Sequence, residues 1–219
     1  MSLHKLRKVV AAAILLLSLG LLVWAILPNK REVAMLVLPP IEMWQSSSGQ
    51  EIAPAILETR RMRLEYPESL RIGDQGVILL NLETVKEDPS SPVIQNGLSD
   101  AYNSYNVMAE AKFEVAGVRV EPANPTRVSM PPGQPVRFKW QISAEQAGAY
   151  GGNVWLSLRF LPLDGSTPTQ KPIYVKEVGI KTTSLLGLSG TTARLVGGVG
   201  VLLSLLLVFN DMIDWWKKK

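Results

Sequence analysis

Apolar residues follow two patterns along this chain. At both ends they run without interruption, and between the ends they alternate with polar residues. Residues 9–27 (VVAAAILLLSLGLLVWAIL) and 195–209 (LVGGVGVLLSLLLVF) contain no charge. As a helix the first run, 19 residues long, extends about 28 Å, close to the ~30 Å hydrocarbon thickness of a bilayer. The second reaches a similar length from 191 to 209 and then includes Arg194 near one end, where a guanidinium can snorkel to the headgroups. Two membrane-spanning helices are expected, at 9–27 and 191–209. A basic start before an apolar run also describes a secretory signal peptide, but this run exceeds the usual h-region, so an uncleaved anchor is expected.

The region between the runs reads as β. Met62, Leu64 and Tyr66 alternate with Arg61, Arg63 and Glu65, the period of a half-buried strand. A strand stub follows at 70–72. VILLNLETV at 77–85 alternates little and is expected at the centre of a sheet. At 109–122, Ala111, Phe113 and Val115 oppose Lys112 and Glu114, with Gly117 as a bulge or turn. Segments 127–130, 135–142, 153–161 and 172–182 complete the set, joined by PPGQP, AEQAGAYGG and PLDGSTPTQKP, all turn chemistry. Short strands at this spacing, with no soluble helix among them, predict an antiparallel β-sandwich, immunoglobulin-like in the loose architectural sense.

The expected organisation is a tail at 1–8, a span at 9–27, a juxtamembrane segment at 28–55, and the sandwich at 56–182. A linker at 183–190, a second span at 191–209 and an amphipathic interfacial tail at 210–219 follow. The whole-chain charge of +4 hides a segregation. Residues 28–192 hold 16 Lys/Arg against 17 Asp/Glu, a net of −1. The positive excess sits at the tips, in Lys5, Arg7, Lys8, Lys217, Lys218 and Lys219. A near-neutral middle argues against a nucleic-acid partner. Basic tips predict both termini on the cytoplasmic side and 28–192 outside. The chain is thus expected at the cell membrane, with the lipid bilayer and other membrane subunits as partners.

Candidate chemistry is sparse. There is no cysteine, and the one histidine is His4 in the N-terminal tail. Disulfides, thiolate metal sites and the commonest general base are therefore missing from the expected domain. No phosphate loop or nucleophile elbow occurs: Gly197, Gly198 and Gly200 lie in the apolar run, and Gly187-Leu188-Ser189-Gly190 has the wrong spacing. No catalytic, cofactor or metal residue is assigned.

The candidate residues instead concern packing and contact. Ala11, Ser18 and Ala25 form one small-residue stripe, and Ala193, Gly197, Gly200 and Ser204 another, each allowing close approach of a helix. Trp24, Arg194, Trp215 and Trp216 fit the membrane interface. Asp211 and Asp214 share a helix face at the end of the second run, placed for a headgroup exit rather than ion movement. Two long interruptions, 39–54 and 86–105, are candidate contact loops, with Trp44, Tyr102 and Tyr105 as their contact residues. Val136, Phe138 and Trp140 share one strand face, which predicts Trp140 in the core. Trp155 lies with Ser157 and Arg159 opposite Val154, Leu156, Leu158 and Phe160, which predicts an exposed contact residue.

The expected function is a non-catalytic interaction subunit of a membrane assembly. Alternatives are a ligand-binding or sensor ectodomain signalling through another protein, since the tails hold no output domain, and an enzyme with a carboxylate-based site.

Overall fold

The computed structural model describes residues 3–27, 30–38, 41–43, 46–47, 50–51, 55–85 and 98–216. Two apolar helices, α1 (Leu3–Ile26) and α3 (Gly190–Trp216), enclose a mainly β region in sequence. A short helix, α2 (Leu98–Ser104), lies within that region. The strands are β1 (Arg31–Leu38), β2 (Ile41–Met43), β3 (Ser46–Ser47), β4 (Gln50–Glu51), β5 (Ala55–Leu57), β6 (Arg60–Pro67), β7 (Ser69–Arg71) and β8 (Gln75–Thr84). They continue with β9 (Tyr105–Val115), β10 (Arg119–Glu121), β11 (Thr126–Ser129), β12 (Val136–Ser143), β13 (Gly148–Pro162) and β14 (Thr169–Thr183).

Ten of these form two sheets. One has the order β1-β6-β8-β12-β10 and is antiparallel throughout; the other has the order β11-β9-β13-β14-β7, with β7 parallel to β14. The period-two pattern places the core between them. Met62, Leu64, Ile78, Leu80, Phe138 and Trp140 of the first sheet are buried, as are Phe113, Val154, Leu156 and Phe160 of the second. Trp140 is 0% exposed. Its ring stacks on Phe138 at 6.2 Å and meets Phe113 of the opposite sheet at 6.4 Å. The expected central strand is β8, flanked by β6 and β12. Its side chains do alternate between core and surface; two of the outward ones, Val77 and Leu79, are apolar and mask the period in the first half of the strand.

Three elements differ from expectation. Residues 31–38, assigned to a juxtamembrane segment, form β1, which pairs along its whole length with β6. The apolar residues from Val33 to Leu38 show no period-two alternation with polar ones, which hid the strand. Within the interruption at 86–105, residues 98–104 are helical and Tyr105 opens β9. Beyond Phe209 the exit segment continues α3 to Trp216. Gly117, at φ +77°, makes the expected turn between β9 and β10.

The core predicts a contrast between two tryptophans. Trp140→Ala should destabilise the fold by about 3–5 kcal/mol, and Trp155→Ala, at a side chain 43% exposed, by less. Urea unfolding followed by circular dichroism measures both; a larger loss at Trp155 contradicts the assigned strand faces.

A second prediction concerns the seam between β1 and β6. The Tyr66 hydroxyl donates to the Glu32 carboxylate on the neighbouring strand. Burial, then that hydrogen bond and charge, push Tyr66 up to about 12 from 10.0. The folded state holds this proton more tightly than the unfolded chain, so the contribution is complete below about pH 10 and is lost as pH rises towards about 12. Stability measured across that alkaline window should fall in the native chain, and fall less in Tyr66→Phe.

Candidate functional site

The two helices lie antiparallel against each other, and their small residues form the contact. Ala11, Ser18, Ala25, Ala193, Gly197 and Ser204 are all buried, although most of both helix surfaces is exposed. A Cβ on Gly197 would stand 2.8 Å from Leu22 Cγ and 3.1 Å from the Ser18 carbonyl oxygen. Only hydrogen fits there. Gly200 faces the Ser18 side chain. Ser204 returns its hydroxyl proton to the Val201 carbonyl at 2.7 Å, so its buried oxygen is not left unbonded in apolar surroundings.

The domain meets this hairpin through one tight turn. β7 and β8 are joined by Ile72, Gly73 and Asp74, with Gly73 at φ +78°. Arg71, at the end of β7, is 8% exposed. It donates through Nη2 to the Leu27 carbonyl at 2.5 Å and lies over the Trp24 ring at 5.2 Å. From α3, Arg194 donates through Nε to the Ala25 carbonyl at 3.2 Å and through Nη2 to both Asp74 carboxylate oxygens at 2.8 and 2.7 Å. Asp74 Oδ2 is also 3.7 Å from Arg71 Nη1. One carboxylate thus lies between two guanidiniums that cap the last carbonyls of α1.

The start of α3 is held by the same turn. Gly190 N donates to the Ile72 carbonyl at 2.9 Å. A Cβ at Gly190 would lie 2.6 Å from Asp74 Oδ1, which explains glycine at that position. Ser189 is the N-cap, accepting from Thr192 N at 3.1 Å. Trp24 and Arg194 therefore serve the junction with the domain, a role their sequence positions did not reveal. Arg71 and Asp74 were missed altogether, because an arginine and an aspartate around a Gly turn look like any solvated strand end. Trp215 and Trp216 belong to α3, but their side chains fall outside the described residues.

The chain leaves the sheets for its two long interruptions at Leu38 and Val85, both at the end remote from the helices. A buried cluster ties the base of these excursions together. Arg60, 3% exposed, donates to the Gln134 carbonyl at 2.7 Å and the Pro131 carbonyl at 3.0 Å, and pairs with Glu58. Glu58 also accepts from Gly133 N at 3.1 Å and from the Tyr102 hydroxyl at 3.5 Å. Burial, and next the Glu58 charge, raise the Tyr102 pKa. Tyr102 is half-buried against the core.

The contact residues expected here need correction. Tyr105 is 6% exposed and meets Phe160 edge-on at 5.9 Å, so it packs the core rather than a partner. Tyr102 braces the Glu58–Arg60 pair. Trp44 lies outside the described residues. Trp155 is 43% exposed, beside Val175 of β14 and Lys112 of β9 on the outer face of the second sheet.

Two further surfaces stand out. On β1, Val33, Met35 and Val37 are 47%, 62% and 53% exposed, and β1 is the edge strand of its sheet among the described strands. Beside the β9–β13 pair an open depression of about 480 Å³ is lined by Lys112, Val118, Val120, Ala123, Gly152 and Asn153, among others. Among the described residues no three of His, Cys, Asp and Glu come together as a metal site.

No protein-family model and no curated protein matches the chain. Solved structures with similar folds include the CARDB domain of a Pyrococcus furiosus protein in complex with di-metal ions, at 7% identity over 55% of this chain and 84% of that one, TM-score 0.31. Another is a chain from the human seminal-plasma complex of zinc 2-glycoprotein and prolactin inducible protein, at 11% identity, 56% and 93% coverage, TM-score 0.35. A third is AggA, the major subunit of Escherichia coli aggregative adherence fimbriae type I, at 7% identity, 72% and 98% coverage, TM-score 0.29. At these scores the likenesses carry no functional argument.

The helix contact predicts a specific crosslink. A Cβ on Gly200 would stand 3.0 Å from Ser18 Cβ, within about half an ångström of disulfide geometry. Ser18→Cys/Gly200→Cys should form an intramolecular bridge on mild oxidation, read as a shift on non-reducing gels. Adducts to another protein in place of that bridge would mean that the helices are separated in the membrane.

The junction predicts a stability loss. Asp74→Ala leaves two guanidiniums facing each other, one of them buried, and should cost on the order of 3 kcal/mol. Thermal unfolding in detergent checks this; an unchanged melting temperature contradicts the described junction.

Proposed function

We propose that the chain is a two-pass membrane protein with both termini cytoplasmic, acting as a non-catalytic interaction subunit of a membrane assembly. Both helices are long and apolar enough to cross a bilayer: residues 6–26 and 190–209 have mean hydropathies of 2.8 and 2.1, and 17% of each span is buried in the protein. A helix that is apolar on every face and mostly exposed suits lipid. The basic tips support the inside placement of both ends.

The observation that carries the interaction reading is the apolar edge strand β1. Val33, Met35 and Val37 form a row on the edge strand of the sheet among the described strands, the surface a partner strand would use. Trp155 with Val175 offers a second aromatic contact on the other sheet.

Photo-crosslinking from Met35 and from Trp155 in the native membrane tests the reading. A discrete protein adduct at Met35 supports it, and adducts to neither site overturn it. Topology is tested separately. Protease added to intact cells or spheroplasts should cut within the interruption at 86–105, and protection until lysis would reverse the assignment.

A further inference from the structure

The connection between the domain and α3 contains a turn that protein packing does not explain. Leu185 and Leu188 form an isolated antiparallel bridge, with Leu188 N donating to the Leu185 carbonyl at 2.9 Å. The two residues between them, Leu186 and Gly187, have φ of +52° and +76°. That backbone favours Asn, Asp or Gly at both central positions. A leucine there is conformationally unfavourable, and Leu186 is the one non-glycine residue with positive φ among the described residues. It gains nothing from the protein in return, since it is 91% exposed.

The position of the turn supplies a reason. The chain bonds to Ile72 at Thr183, where Ile72 N donates to the Thr183 carbonyl at 3.1 Å, and returns to Ile72 at Gly190. The excursion between them hangs from one residue, Ile72, at the helix end of the domain. It ends at Ser189, the N-cap of α3, a few residues before the exposed Leu195 and Val196 on the helix surface. Its apolar tip is therefore next in sequence to the surface that lipid would cover.

We propose that the turn at 185–188 is a membrane-inserted tip, with Leu186 seated in the outer-leaflet interface. This rests on the reading of α3 as a membrane span. An apolar side chain gains by leaving water for acyl chains, and that gain offsets the unfavourable backbone. The tip is a lipid contact separate from the two helices and would restrain the domain from rocking about the junction.

The native chain has no cysteine, so single labels can be placed cleanly on the full-length protein. Leu186→Cys, Leu203→Cys on the exposed face of α3, and Leu163→Cys at the domain end remote from the helices would each carry an environment-sensitive fluorophore. The protein is reconstituted in phosphatidylcholine vesicles containing lipids with nitroxides at shallow or deep acyl positions. Quenching at Leu186 should be about twofold stronger from the shallow nitroxide than from the deep one, as for an interfacial group. Leu203 should be quenched and Leu163 should not. Quenching at Leu203 with Leu186 as unquenched as Leu163 overturns the tip and leaves the span intact. No quenching at Leu203 overturns the span, and the inference with it.

Discussion

The placement of Asp74 between Arg71 and Arg194 is the constraint on which the relation of domain to helices depends. The last carbonyls of α1 have no helical partners. Two arginines supply donors to them. Two guanidiniums brought to one helix end repel each other, and Arg71 is nearly excluded from solvent. A single carboxylate resolves both problems. The helix dipoles agree with the arrangement: cations sit at the negative end of α1 and the anion at the positive end of α3. Removing Asp74 leaves the two guanidiniums facing each other without a counter-charge, so the carboxylate is the member on which the arrangement depends.

The junction also explains local choices that look arbitrary in isolation. Glycine at 190 gives Asp74 room to reach the helix start, and glycine at 73 supplies the left-handed turn that aims it. Gly197 lets the helices close to the distance at which Arg194 reaches the Ala25 carbonyl. Helix packing and domain attachment are therefore coupled through the same few residues. With the lower end fixed, the Glu58–Arg60 cluster and the exits at Leu38 and Val85 are held at the opposite end of the sandwich.

Much of the fold was legible because the period-two signal is strong where one sheet face is buried and the other charged. β6 and β12, with arginines and a lysine between apolar residues, are the clear cases. β1 was not legible, because its residues from Val33 to Leu38 are apolar on both faces and carry no period-two signal. Tyr105 misled for the converse reason: polar neighbours gave it a loop context, but the strand begins at that residue. Among the candidate site residues, the small-residue stripes could be read from spacing alone, since a helical period fixes which residues share a face. The junction could not, because Asp74 and Arg194 are 120 residues apart in sequence and each member is ordinary where it stands. Only the approach of the turn to both helix ends gives those side chains a common purpose.

Edge strands in proteins that live alone usually carry a lysine, a proline or a bulge that discourages pairing. β1 carries its charges at Arg31 and Glu32, beside α1, and none from Val33 to Leu38. Glu32 is engaged with Tyr66, so it does not guard the edge. The strand spans the sheet from the helix end at Arg31 to the remote end at Leu38. Because the junction ties the domain to its helices, this edge is presented in a restricted set of orientations relative to them. On the proposed reading, main-chain bonding along such an edge would give affinity, and the alternate side chains Val33, Met35 and Val37 would give selection. An unguarded apolar edge is a hazard to an isolated ectodomain and an asset to a subunit with a neighbour, and that asymmetry ranks the interaction reading above the sensor and the enzyme.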